Sequence, residues 1–305
     1  MGELSAGISA AGTGDPRPGG NRGEAPGREW SGKVAFITGV ARGQGRSHAL
    51  EFARRGADIG GLDICGPITS VPYDLATPSD LEQTRQEIES LGGRAVLEMA
   101  DVRDAGAVET VAARVLERFG RIDVVITNAG VFSVGDPLSM SAETWRDVLD
   151  VNLTGVWNTV QACLPAIVDG GRGGSIVMTS SIGGVQGLLH CPHYVASKHA
   201  VIGLMRALAN ELAPYRIRVN AVCPTNVNTP MIQNQANYRT FRPDLEEPTS
   251  EDIVEVAASM HLLDVPWVEA EDVTAAVVWL ASEAARYLTG VALPVDAGLL
   301  EKVQN

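Results

Sequence analysis

The sequence is short of basic residues: 24 Lys and Arg stand against 37 Asp and Glu, a formal net charge of -13. Binding to a phosphate backbone needs the opposite surplus, which excludes a nucleic-acid partner. Long apolar runs are missing as well. Nothing approaches the run of about 18 apolar residues that a membrane span requires, and the N-terminus lacks the basic and apolar regions of a signal peptide. A cytoplasmic chain without a membrane partner is expected. Cysteine is scarce, and Cys65, Cys163, Cys191 and Cys223 stand apart without CxxC or Cys/His ligand spacing. Reduced, buried thiols follow, and no metal is implied. The first 30 residues lack core-forming side chains, with Met1, Leu4 and Ile8 the only large apolar residues before Trp30. Such a segment cannot bury enough surface to offset its ordering entropy. Residues 1–30 therefore read as a disordered extension and 31–305 as the folded domain.

From Lys33 the character changes. With 45% hydrophobic and 20% charged residues in a chain of 305, the material suits one large globular domain. Segments rich in Val, Ile and Ala at 34–38, 57–63, 94–99, 124–128, 175–179, 217–222 and 291–295 alternate with helical patterns, the mark of βαβ units. The expected fold is α/β: a three-layer, doubly wound parallel sheet of seven strands, a Rossmann fold in a single domain. Two stretches exceed the short connections such folds prefer. One, 64–77, follows the second strand; the other, 229–266, follows the sixth. Both fall at the carboxyl edge of the sheet, where these folds bind ligands. Pro67 and Pro72 stiffen the first, which reads either as a cover for the adenosine half of a nucleotide or as a plain surface excursion. The second reads as a substrate lid.

The first strand runs into Thr38-Gly39-Val40-Ala41-Arg42-Gly43-Gln44-Gly45, and a helical pattern follows at once. A glycine-rich turn there lets backbone N–H groups and the helix dipole meet a pyrophosphate. Asp63 ends the second strand about 20 residues on, placed to accept hydrogen bonds from the adenosine ribose. Its charge would repel the 2′-phosphate of NADP, so NAD is favoured. Arg42 pulls the other way, because it can pair with that phosphate.

Tyr194-Val-Ala-Ser-Lys198 sets a phenol and an ammonium four residues apart on one helical face, which continues through Val201, Ile202, Met205 and Leu208. A lysine on an apolar face is costly without partners. Holding a cofactor ribose and lowering the phenol pKa would supply them. Ser181, thirteen residues before Tyr194, could bind the same substrate oxygen; its neighbour Ser180 reads as a turn residue. Upstream, Trp145, Val148, Leu149, Val156 and Val160 make one apolar stripe that also carries Asn152. A buried amide must find partners, either a local backbone group or a water in a proton chain leading to Lys198.

Together, Thr38–Gly45, Asn128-Ala129-Gly130, Asn152, Ser181, Tyr194, Lys198 and the segment 220–231 resemble the short-chain dehydrogenase/reductases, over about residues 33–298. The resemblance implies a serine-tyrosine-lysine mechanism with Asn152 as fourth member. It also implies a cofactor lined by Asn128, Ala129 and Gly130, touched at its adenine by Asp101 and Val102, and held at its nicotinamide by Pro224, Val227 and Thr229. A homotetramer is implied too. Pro224-Thr225 stands where the family commonly has Pro-Gly. Asp63-Ile-Cys-Gly-Pro-Ile, the segment 223–231 and Phe241-Arg-Pro-Asp-Leu245 are similar to the mycofactocin-coupled subfamily, which includes carveol dehydrogenases of actinobacteria. That likeness implies tightly held NAD, oxidation of secondary alcohols and an external redox acceptor.

The expected activity is NAD-dependent interconversion of a hydrophobic secondary alcohol, terpenoid or carveol-like, and its ketone. Two other readings are an NADPH-dependent ketoreductase and a non-catalytic NAD-sensing protein. Candidate substrate contacts are Val131, Phe132, Gln186, Leu188, Leu189, His190, Met231, Tyr238, Phe241 and Trp267, mostly apolar. His190 and His193 read as pocket lining or surface, and His48, His199 and His261 as isolated. Glu269, Glu271 and Asp272 read as a helix start.

Overall fold

A computed structural model describes residues 28–303. The extension expected over 1–30 lies outside the described residues as far as 27; Trp30, its last position, is buried edge-on against Phe52, with ring centroids 4.9 Å apart.

The chain alternates strand and helix as β1 (Val34–Thr38), α1 (Gly43–Arg54), β2 (Asp58–Asp63), α2 (Pro78–Ser90), β3 (Ala95–Met99), α3 (Ala105–Phe119) and β4 (Val124–Thr127). It continues with α4 (Ala142–Leu149), a π-helical turn (Asp150–Thr154), α5 (Gly155–Gly170), β5 (Gly174–Thr179), α6 (Pro192–Glu211) and β6 (Ile217–Pro224). Then come α7 (Gln235–Phe241), α8 (Ser250–Ala258), α9 (Ala270–Ala281) and β7 (Ala292–Val295). All seven strands pair in parallel, in the order β3-β2-β1-β4-β5-β6-β7. β1 and β4 are buried at every position, as strands covered on both faces by helices must be.

Two apolar cores sandwich the sheet. On one face Ala49 and Phe52 of α1, Leu81 and Ile88 of α2, and Val273 and Val277 of α9 pack together. On the other, α3 contributes Val111 and Val115, α5 contributes Val156 and Val160, and α6 contributes Val201 and Met205. The sheet order reverses between β1 and β4, which opens a crevice beyond their carboxyl ends.

Both long connections border that crevice. The 64–77 segment is a strap: Ile68 and Val71 are buried in the α3/α5/α6 core with Tyr73 and Leu75 packed beside them, and Thr77 ends it as the N-cap of α2, in a reciprocal cap with Asp80. The 229–266 segment carries α7 and α8. Glu269 and Asp272 form the reciprocal cap that opens α9, so these acids are a helix start as expected.

Candidate active site

The glycine turn after β1 is shaped by contact as well as conformation. Gly39 and Gly43 take φ of +69° and +54°, and a Cβ on Gly45 would lie 2.0 Å from the Gly39 carbonyl oxygen. Gly45 is thus required by turn-to-helix packing and does not line the cleft, unlike Gly39 and Gly43. The N-terminus of α1 has no side-chain cap and no acidic residue in its first turn, whereas α2, α3 and α4 are capped by Thr77, Asp104 and Ser141. Its free N–H groups face a cavity of about 130 Å³. The residues present fit a dinucleotide diphosphate, because uncapped helix N–H groups and the dipole favour an anion.

The rest of this cavity is built from strand ends. Thr38 Oγ accepts the backbone N–H groups of Asn128 and Ala129, each at 3.1 Å, and the Asn128 amide donates back to the Thr38 carbonyl at 3.1 Å. That lacing brings the loop after β4 against the glycine turn. Asp63 is 7% exposed, and its carboxylate accepts the N–H groups of Ala41 (3.1 Å) and Cys65 (3.2 Å). Burial raises its pKa, opposed by those two N–H groups and by the Arg42 charge. Arg42 itself donates to the Asp74 carbonyl of the strap at 2.6 Å. Asp101 and Val102 form the far wall, where Asp101 is held by Arg103.

A second cavity of about 420 Å³ continues from the first, sharing Gln44, Asn128, Gly130, Val131, Thr229 and Met231. Ser181, Tyr194 and Lys198 all line it, as do Pro224 and Val227. Ser181 sits two residues past the end of β5, its hydroxyl accepting the Gly183 N–H at 3.1 Å. Ser180 is committed elsewhere, donating to the Lys198 carbonyl at 2.9 Å. Lys198 is 4% exposed and donates to the Thr179 carbonyl at 2.9 Å, with its ammonium 5.6 Å from the Tyr194 ring centroid.

The lowered phenol expected from the sequence is not found. Burial pushes the Tyr194 phenol up to about 12, a hydrogen bond with Ser181 opposing, and burial pulls the Lys198 ammonium down to about 8. Loss of water is the largest cause for both groups, since burial penalises the charged form of each.

Asn152 is bonded to the backbone of the loop after β4. It is fully buried in the π-helical turn, where its amide accepts the Val131 N–H at 2.8 Å and donates to the Val131 carbonyl at 2.9 Å. It does not line the cavity, yet a Cβ on Gly130 would be 3.3 Å from its oxygen and 3.5 Å from the Lys198 nitrogen, so only a glycine separates the two.

Of the substrate candidates, Val131, Phe132, Leu188, Leu189, His190, Met231 and Phe241 line the large cavity; Gln186, Tyr238 and Trp267 do not. Tyr238 is turned to Gln233, to which its hydroxyl donates at 2.9 Å. His193 is neither lining nor surface: it is fully buried beside Ser133, 2.8 Å from its hydroxyl. His261 is not isolated. It bonds Thr225 at 2.8 Å and thereby ties the end of the lid to β6. Asn226 was missed; its side-chain nitrogen is buried without a partner at the cavity wall. Its only signal in the sequence was its place between Thr225 and Val227.

A family model described as enoyl-(acyl carrier protein) reductase matches residues 39–300. The (-)-trans-carveol dehydrogenase of Rhodococcus erythropolis is 50% identical over 88% of this chain and 97% of its own length. Among solved structures, the carveol dehydrogenase of Mycobacterium avium in complex with NAD is 50% identical with a TM-score of 0.88, covering 90% of this chain and 99% of that one. A short-chain dehydrogenase from Mycobacterium paratuberculosis bound to NAD is 41% identical with a TM-score of 0.82, over 90% of this chain and all of that one.

Proposed function

The chain belongs to the short-chain dehydrogenase/reductases, and on that premise we propose that it interconverts a hydrophobic secondary alcohol of the cyclic terpenoid kind and its ketone. It is an NAD-dependent alcohol oxidoreductase. The observation that carries the finer reading is the single cleft in which the Ser181 and Tyr194 hydroxyls and the Lys198 ammonium share one wall with a largely apolar pocket.

NAD, held by the residues around the glycine turn, Asp63 and the loop after β4, would supply the hydride acceptor for alcohol oxidation and, as NADH, the donor for the reverse. Ser181 and Tyr194 hold the substrate oxygen between their hydroxyls. In reduction the Tyr194 phenol gives its proton to the forming alkoxide; in oxidation the phenolate, the minor form that burial disfavours, takes the alcohol proton. Lys198, still largely an ammonium at neutral pH, would ease formation of the phenolate by its charge and would help to hold the cofactor ribose. Asn152 acts through the backbone by holding Val131 and the Gly130 floor in place. Asp63 selects NAD, since a buried carboxylate at the ribose leaves no place for a second phosphate, while Arg42 is engaged by the strap.

The strap closes over the adenosine half, and re-oxidation of a retained NADH falls to an external acceptor of the mycofactocin type. A homotetramer and a cytoplasmic setting belong to the same reading, the latter in keeping with four free cysteines. The test is NADH formation from a panel of alcohols. Cyclic terpenoid secondary alcohols should exceed polyols and hydroxy acids in kcat/KM by about 100-fold or more, because the pocket offers those polar groups few partners. Equal or better turnover of the polar alcohols would overturn the substrate assignment.

A further inference from the structure

The strap reaches past the nucleotide cleft to the catalytic wall. Ser70 donates to Asp147 of α4 at 2.7 Å, Arg103 holds that carboxylate at 2.9 Å, and Arg42 grips the Asp74 carbonyl. Between these anchors the Tyr73 hydroxyl accepts the Phe132 backbone N–H at 3.1 Å. Phe132 in turn stands edge-on to Tyr194, with ring centroids 5.0 Å apart and an interplanar angle of 87°. The neighbouring residue, Val131, has both backbone groups taken by Asn152. Consecutive residues of the loop after β4 are thus clamped from opposite sides, Val131 by Asn152 and Phe132 by Tyr73. Pro72 and Tyr73 also share a small void with Asn234, Ala236 and Asn237 of the lid, so strap and lid meet at this point.

We propose that Tyr73 is a positioning residue for the reaction: its hydroxyl fixes Phe132, whose ring sets the orientation of the Tyr194 phenol. The proposal rests on the reading of Tyr194 as the acid/base. Its physical content is that one phenol oxygen couples closure of the strap to alignment of the catalytic ring. An edge-to-face aromatic pair has a preferred geometry, and Phe132 can hold it only while its backbone is fixed. Burial pushes the Tyr73 phenol up to about 12, so it remains a neutral hydroxyl throughout the working pH range.

The test is Tyr73→Phe, which keeps the ring and removes only the acceptor, made in the natural chain and in a Phe132→Leu background. In the natural chain kcat should fall about five- to ten-fold, with NADH affinity by fluorescence titration and KM for the alcohol within about two-fold. In the Phe132→Leu background the same change should alter kcat by less than about two-fold, because the ring it positions is gone. Amide hydrogen exchange over residues 130–134 should rise in Tyr73→Phe. An equal kcat loss in both backgrounds, a loss confined to NADH affinity, or unchanged exchange would each overturn the proposal. Failure of the underlying reading is a separate outcome, seen as activity surviving in Tyr194→Phe.

Discussion

Lys198 and His48 show how two buried bases take different roles. Lys198 keeps one acceptor, the Thr179 carbonyl, and opens on the cavity, where a ligand can supply the partners its charge lacks. His48 on α1 has no such opening: its ring meets Thr274 of α9 at 2.7 Å, its other nitrogen is unpartnered, and burial lowers its pKa from 6.5 to about 3. The folded state therefore holds it neutral while the unfolded state takes a proton near 6.5. Its contribution to stability is fully present above pH 6.5 and is lost as pH falls towards 3, by on the order of 4 kcal/mol at the end of that range. His48→Leu should lose less stability than the natural protein between pH 6.5 and 4 in urea unfolding. Parallel loss in the two proteins would show that His48 is not kept neutral by the fold.

At the scale of elements, the strands were legible because their apolar runs are buried on both faces and so contrast sharply with the helical patterns around them. The stripe on α4 was less so. Trp145, expected on the same buried face as Val148 and Val156, is 43% exposed. Beyond Leu149 the π-helical turn at 150–154 shifts the phase of α4 relative to α5, so a period of 3.6 residues cannot be carried from Val148 to Val156. The same turn places Asn152 against Val131, which no spacing in the sequence announces. The strap was legible as an insertion with two prolines, but its anchors through Ser70, Tyr73 and Asp74 come from residues far away in sequence. Those anchors support a functional prediction. Protein purified without added nucleotide and dialysed should keep its NAD, while a variant with 64–77 cut to a tight turn should lose it. Equal loss from both would remove the strap from cofactor retention.

Across the whole molecule, the switch point between β1 and β4 gathers residues from Gly39 to Thr229 into one cleft. The order of motifs along the chain made one part of this cleft readable, since glycine turn, strand-end acid and the loop after β4 fall on the ends of neighbouring strands and line one cavity. The larger, apolar cavity was read in part only. Tyr238 and Trp267 are apolar enough to line a pocket but turn elsewhere, and Thr225 and His261 are joined only once the lid folds back on β6. The electrostatics were hidden too, because spacing brings Lys198 near Tyr194 without revealing how dry both become. Among the described residues no helix is long and apolar enough to cross a membrane.

We propose that the Tyr194 hydroxyl transfers the proton while the rest of the cleft binds and orients. Tyr194→Phe removes that oxygen and leaves the ring against Phe132, so the measurement is kcat of this variant with NAD and a cyclic secondary alcohol, beside its NADH affinity. The expected result is a fall in kcat of about 1000-fold or more, with NADH affinity within about two-fold of the natural protein. Retention of more than about 5% of the natural kcat, with the variant folded and binding NADH, would contradict it.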